Sequence, residues 1–183
     1  MNILYKITCA TLIVQMALSA CQSGPSTGQV ELPVCNSCTD STRLNIKITL
    51  TEKDRMTRGM MHVVNHESGY SCEKETDVLG KLDMRLCLDS VYDLVFTRES
   101  YLKKIIRLDL RNIPDTSAVG GFQLDMNVRM IPVPEGFDTR IADEPLGIAS
   151  YSPENNNILF DFEFTERRQK EIDAELLRCG AKQ

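Results

Sequence analysis

The chain has 183 residues, 42% of them hydrophobic and 26% charged, with 10 Gly and 7 Pro. That balance excludes wholesale disorder, collagen-like repeats and low-complexity sequence, and it fits one modest domain. Lys and Arg number 21 against 26 Asp and Glu, a formal charge of −5, so a basic footprint for a nucleic-acid backbone is missing and nucleic acid is not an expected partner.

Met1 to Ala20 carry one charge, Lys6, followed by the apolar run Ile7 to Leu18. Its length and polarity order are those of a signal-peptide core, and it falls short of the roughly 20 apolar residues that a membrane-spanning helix needs. The run ends in Leu18-Ser19-Ala20-Cys21, which resembles the lipobox of bacterial lipoproteins. The resemblance implies that residues 1–20 are a lipoprotein signal peptide and that the Cys21 thiol is alkylated with diacylglycerol. Two or three acyl chains then give a stable membrane anchor, where one would not. Gln22, in place of Asp after the cysteine, resembles the sorting residue of outer-membrane lipoproteins; the leaflet faced stays open. Residues 21–43 form the lipidated cysteine and a linker that begins with the small-residue stretch Gln22 to Gln29.

Of the 7 cysteines, Cys9 leaves with the signal and Cys21 carries lipid, so Cys35, Cys38, Cys72, Cys87 and Cys179 remain. An oxidising envelope permits disulfides. Cys72 and Cys87 lie on the two arms of an expected hairpin turning near Asp77 to Lys81, and strand pairing there places them as candidate partners. Cys35-Asn36-Ser37-Cys38 is a C-x-x-C in a polar lead-in. It reads as a local or inter-segment disulfide, with a redox dithiol or half a zinc site as the alternatives. His62 and His66 read as surface or edge residues on or beside a strand, and neither a metal nor a cofactor is expected.

From Leu44 the dominant period is two. Leu44, Ile46, Ile48 and Leu50 alternate with polar residues, the pattern of a strand with one dry and one wet face. The pattern recurs at Met61 and Val63, at Leu82 to Leu88, at Tyr92 to Phe96, at Ile106 to Leu110 and at Phe122 to Met130, with turn residues between the runs. Short alternating strands at this spacing predict a mainly β fold, an antiparallel β-sandwich over 44–131, and no strand-helix alternation of a nucleotide-binding fold.

Within that stretch, Thr76-Asp77-Val78-Leu79-Gly80-Lys81-Leu82, Tyr92-Asp93-Leu94-Val95-Phe96 and Tyr101 to Ile105 resemble the carboxypeptidase regulatory-like, prealbumin-type β-sandwich common in envelope proteins of the Bacteroidota. The turn has a physical logic: Asp77 can accept backbone amides and Gly80 can take a positive φ. Leu82 stands where the family has an aromatic residue, and Ser100 where it has Gly. The resemblance covers about half of the chain and implies fold rather than activity.

Residues 132–183 form a C-terminal extension expected to pack a strand and a helix on the sandwich. Pro132 and Pro134 end the long strand, Ile141 to Tyr151 reads as irregular, and Ile158 to Phe164 alternates like one more strand. Glu166 to Arg178 reads as a helix with Thr165 as N-cap and Gly180 as its stop.

No catalytic set assembles around either histidine, since Ser68 and Ser71 are only chain neighbours of His66. The pairs Asp161 with Glu163 and Asp143 with Glu144 read as solvated surface, and Asp138, Asp143, Glu144 and Asn155 to Asn157 lack a calcium-loop spacing. The expectation is therefore a lipid-anchored envelope protein that is not an enzyme. It binds or scaffolds, with an envelope protein as partner and as an accessory of an outer-membrane complex. A glycan-binding or adhesion lipoprotein is the alternative, weakened by the absence of Trp. An envelope thiol-redox protein using Cys35 and Cys38 is the weaker one.

Overall fold

The alternating runs become strands whose apolar parity faces a shared core. In the computed structural model, which describes residues 30–31, 43–53, 55–114 and 121–180, the strands are β1 (Val30–Glu31), β2 (Arg43–Glu52), β3 (Arg55–Met56), β4 (Met60–Asn65), β5 (Ser71–Glu75), β6 (Lys81–Cys87), β7 (Val91–Thr97), β8 (Lys104–Asp109), β9 (Phe122–Arg129), β10 (Gly147–Ser152) and β11 (Asn157–Phe160). One helix, α1 (Phe162–Arg178), closes the chain order. The chain is a β-sandwich of two sheets with a C-terminal helix, as the periodicity predicts.

In the first sheet β2 lies between β6 and β9, with β1 outside β6 and β3 folded back on the end of β2. The second runs β11-β10-β8-β7-β4-β5. Antiparallel pairs build both sheets, and three parallel pairs extend them: β1 with β6, β9 with β2, and β10 with β8. Ile46, Ile48 and Leu50 from the first sheet meet Met61, Leu94, Phe96 and Leu108 from the second, each at most 1% exposed. Truncating one such aliphatic residue to Ala would cost about 2–5 kcal/mol, from lost transfer energy plus the cavity left behind.

Two local readings change. The segment 141–151, expected to be irregular, contains β10, whose Gly147 to Ser150 pair in parallel register with Ile106 to Asp109. The helix starts before Glu166: Asp161 is its N-cap, accepting the Phe164 amide at 2.9 Å, while Thr165 lies within the first turn and donates its hydroxyl to the Asp161 carbonyl. The alternating Phe160, Phe162 and Phe164 imitate a strand, but a capping aspartate with four orphan amides ahead of it settles the backbone as helix. Gly180, at φ +71°, terminates it as expected.

The turn at Asp77 keeps its anticipated chemistry but connects different partners. Asp77 Oδ1 accepts the amides of Leu79 and Lys81, both at 2.8 Å, and Gly80 takes φ +68°. The strands it joins do not pair: β5 is the edge of the second sheet and β6 belongs to the first, so the chain crosses the sandwich here. Thr76 secures the crossing, its hydroxyl accepting the Gly59 amide at 3.1 Å while its own amide donates to the Gly59 carbonyl.

This crossing overturns the proposed Cys72–Cys87 pairing. Cys72 faces Val63 across an edge pair of one sheet, and Cys87 ends a strand of the other. Cys87 is disulfide-bonded, and Cys72 is not its partner. The other candidate cysteines, Cys35 and Cys38, and the lipidation residue Cys21 lie outside the described residues.

Two outcomes are expected. A Cβ at Gly80 would stand 2.4 Å from the Thr57 carbonyl oxygen and 2.8 Å from that of Leu50, in a backbone conformation that L-residues avoid. Gly80→Ala should therefore lower unfolding stability by about 2 kcal/mol or more in chemical denaturation. Peptide mapping without reductant should find Cys87 in a disulfide with a cysteine other than Cys72 and Cys179; a Cys72–Cys87 peptide would contradict the crossing.

Candidate functional site

β8 begins on a lysine at an inward position. In the β7–β8 register Lys104 stands opposite Phe96, Ile106 opposite Leu94 and Leu108 opposite Tyr92. Lys104 therefore shares the parity of core residues and is 5% exposed. It has no hydrogen-bond or ion-pair partner among the described residues. Burial, reinforced by the nearby Arg129 charge and partly offset by Asp173, pulls its pKa from 10.5 down to about 8.

Lys104 lines a cavity of about 330 Å³ at one end of the sandwich, between β8, the exposed edge strand β9 and α1. Ile106, Leu146, Val128 and Phe160 supply apolar wall, while Arg129, Thr165 and Gln169 supply polar groups. Gly147 lets the lining close tightly: a Cβ there would come within 3.3 Å of Thr165 Oγ1, 3.4 Å of Ile106 Cδ1 and 3.7 Å of Phe160 Cδ1. Phe162, 77% exposed, stands at the rim.

The helix over this end is fixed by a buried cation. Arg168, 6% exposed, donates through Nε to the Pro145 carbonyl at 3.2 Å and through Nη2 to the Ile141 carbonyl at 2.6 Å, and pairs with Glu171. Ile172 and Leu176 bury the same face, and Glu175 accepts the Asp138 amide at 2.9 Å. A buried guanidinium with satisfied donors is tolerable; without them its desolvation would expel it.

Two other polar groupings are committed to themselves. A wide depression of about 960 Å³ is lined by Arg58, Glu75, Arg98 and Tyr101. Arg98 Nη1, however, donates to Glu52 at 2.8 Å and to Thr57 at 2.5 Å, and the guanidinium lies 4.1 Å over the Tyr101 ring. The Tyr101 hydroxyl, then Arg98, hold the Glu52 carboxyl below its usual range. On the outer face of the second sheet Asp93 accepts two bonds from Arg107, at 2.8 and 2.9 Å, and lies 2.9 Å from His66. Burial works to raise the Asp93 carboxyl, but the Arg107 and His66 hydrogen bonds outweigh it.

The structure disperses the acidic residues singled out in the sequence. Asp161 caps α1, Asp143 takes Lys103 at 2.6 Å, Glu144 lies 3.6 Å from Arg168, and Asp138 accepts Arg140 while capping a short 3₁₀ turn. His62 faces Glu73 and Val95 on neighbouring strands, away from the His66 turn. Among the described residues no three His, Cys, Asp or Glu side chains gather as metal ligands. Lys104 is not among the residues singled out in the sequence. The available signal was parity, since Lys104 stands in step with Ile106, Leu108 and Leu110.

No family model and no curated protein matches the chain. Among solved structures it is similar to catechol 1,2-dioxygenase from Acinetobacter sp. ADP1 (10% identity, TM-score 0.42, covering 60% of this chain and 59% of that one). It is also similar to 3-chlorocatechol 1,2-dioxygenase from Rhodococcus opacus 1CP (9%, 0.39, 50% and 60%). A third is the C-terminal domain of the shaft pilin SpaA from Lactobacillus rhamnosus GG (10%, 0.32, 50% and 99%). The matched region thus spans about three fifths of either dioxygenase, and the likeness concerns the sandwich alone. The expectation that the chain is not an enzyme is corrected by these matches: enzymes and pilin domains both stand among the similar sandwiches, and a fold does not exclude a chemistry.

The buried Lys104 carries a stability cost with a definite pH signature. Its folded pKa near 8 lies below the unfolded 10.5. The cost is therefore fully present below pH 8 and is relieved as pH rises toward 10.5. At about 1.4 kcal/mol per tenfold change in proton affinity it is on the order of 3 kcal/mol. Lys104→Met should raise the melting temperature by several degrees below pH 8, with the gap narrowing above it; a variant less stable at neutral pH would contradict this account.

Proposed function

We propose that this chain is a lipid-anchored binding or scaffolding module of the bacterial cell envelope, an outer-membrane lipoprotein with a prealbumin-type, carboxypeptidase regulatory-like sandwich. The observation that carries the reading is the order of the sequence: a short apolar run, Leu18-Ser19-Ala20-Cys21, a small-residue linker, and then a β-sandwich. No helix among the described residues is long and apolar enough to cross a membrane.

In this reading the acyl chains on Cys21 hold the module at the bilayer and the linker sets its reach. The sandwich is a rigid body that presents surfaces to an envelope protein. Its anionic balance disfavours direct adsorption on anionic lipid, so contact with the membrane is left to the anchor. Association with an outer-membrane complex as an accessory follows from the same arrangement: two-dimensional confinement raises the effective concentration of a tethered module against a membrane-bound partner.

The test is lipidation itself. The wild-type chain expressed in a bacterial envelope should yield an N-terminal peptide beginning at Cys21 and bearing acyl mass, and it should fractionate with membranes. Cys21→Ala should lose the acyl mass and leave the membrane fraction. Wild-type protein that lacks acyl mass at Cys21 would overturn the proposal.

A further inference from the structure

The geometry points to the Lys104 cavity as a binding site for a small apolar carboxylate, an aliphatic or aromatic monoacid whose carboxylate meets Lys104 and Arg129 and whose body lies against Ile106, Leu146 and Phe160. Nothing in this inference depends on the lipid anchor.

Four observations carry it. First, the side chain of Lys104 is more than nine-tenths buried, lines the cavity and has no partner among the described residues. A carboxylate in the cavity would give this ammonium the ion pair that the described residues do not supply. Second, Arg129, from the facing edge strand, borders the same space and likewise makes no ion pair or hydrogen bond among the described residues. One buried and one exposed cation, close enough for the Arg129 charge to be felt at Lys104, therefore border one small volume.

Third, Ile106, Leu146, Val128 and Phe160 form an apolar part of the wall beside the polar Asn127, Thr165 and Gln169, and a side chain at Gly147 would press on Thr165, Ile106 and Phe160 of that lining. A volume of about 330 Å³ sits at the lower end of ligand pockets, which suits a molecule of modest size. Fourth, nearby carboxylates limit the negative charge that this end accepts. The carboxylates facing this end are Asp173 on α1 and Asp125 on β9; Gln169 Nε2 donates to the first at 2.9 Å and Gln123 Nε2 to the second at 3.2 Å. With these nearby, a dianion such as phosphate would meet as much repulsion as attraction, and a bare inorganic ion would leave the apolar wall unused. Phe162 at the rim gives the entering apolar body a first contact.

The affinity has a pH sense. A carboxylate pairs with the ammonium form, which predominates below about 8 and is lost above it.

The experiment is calorimetric titration of the full chain with hexanoate and benzoate, using hexanol and benzyl alcohol as neutral isosteres, acetate as a carboxylate without a body, and protein-free buffer as blank. Hexanoate or benzoate should bind saturably, at least tenfold more tightly than its alcohol and than acetate. Lys104→Met should abolish that preference while keeping alcohol binding, which also shows that the variant is folded. Arg129→Gln should weaken carboxylate binding severalfold, and the preference should decline as pH is raised from about 7 to about 10. Binding of acid and alcohol alike, binding of acetate as tight as hexanoate, unchanged carboxylate affinity in Lys104→Met, or no binding of either acid would each overturn the assignment.

Discussion

Strand β2 is hydrogen-bonded along both edges, to β6 on one side and β9 on the other, and its inward residues Leu44, Ile46, Ile48 and Leu50 are almost wholly buried. Both edges and one face of a single strand are thus committed, and the other elements are arranged around that commitment. The carbonyl of Leu50 accepts the Thr57 amide at 3.0 Å and sits against Gly80, so the end of β2 also fixes where the chain crosses to the other sheet. Because β9 is held parallel to β2, its end at Arg129 is delivered beside the start of β8, where Lys104 lies. The cavity is a product of strand direction as much as of side-chain choice.

What was legible in the sequence was much of what residues close together in the chain govern. Period two located the strands of the body, and Asp77 and Gly80 identified a tight turn with the hydrogen bonds it makes. A turn of that chemistry serves equally to reverse a strand within one sheet or to carry it across the core, because the choice depends on which distant strand supplies the next ladder. The misassigned partnership of Cys72 and Cys87 came from that ambiguity. β10 was hidden for a different reason: Gly147 and Ala149 face inward with so little apolar surface that the alternation has no amplitude, and their strand exists because β8 offers a free edge. Phe162 shows the converse, an aromatic residue in strand-like alternation that the helix leaves facing water.

The candidate site was less legible than the fold because its defining residue violates a rule that otherwise holds. A lysine in step with core leucines looks like the polar margin of a strand until the helix and the edge of the opposite sheet enclose it. Arg168 is the instructive contrast. It is as buried as Lys104, yet carbonyls of Pro145 and Ile141 and the carboxylate of Glu171 meet its donors, so it acts as a clasp for the helix. Two cations of similar burial therefore differ in kind: one has its partners built in, and the other faces space. Sequence periodicity cannot separate these cases, since the two carbonyl partners come from a loop remote in the chain.

The parallel pairing of β2 and β9 also governs the order in which the molecule can be made. Asn45 and Phe122, joined by a side-chain hydrogen bond, are 77 residues apart, and the Thr51–Asn127 contact spans 76. As the chain emerges from a ribosome or a translocation pore, β2 can pair with β6 early but must wait for most of the remaining sequence before its second edge is covered. During that interval a buried-type strand shows an open ladder to any extended segment nearby, the usual template for misassembly. Closure over such a separation is slow on topological grounds. A nascent chain of this design spends its most vulnerable period with the central strand half sheathed, and holdase protection is most valuable to it until residues 122–129 arrive.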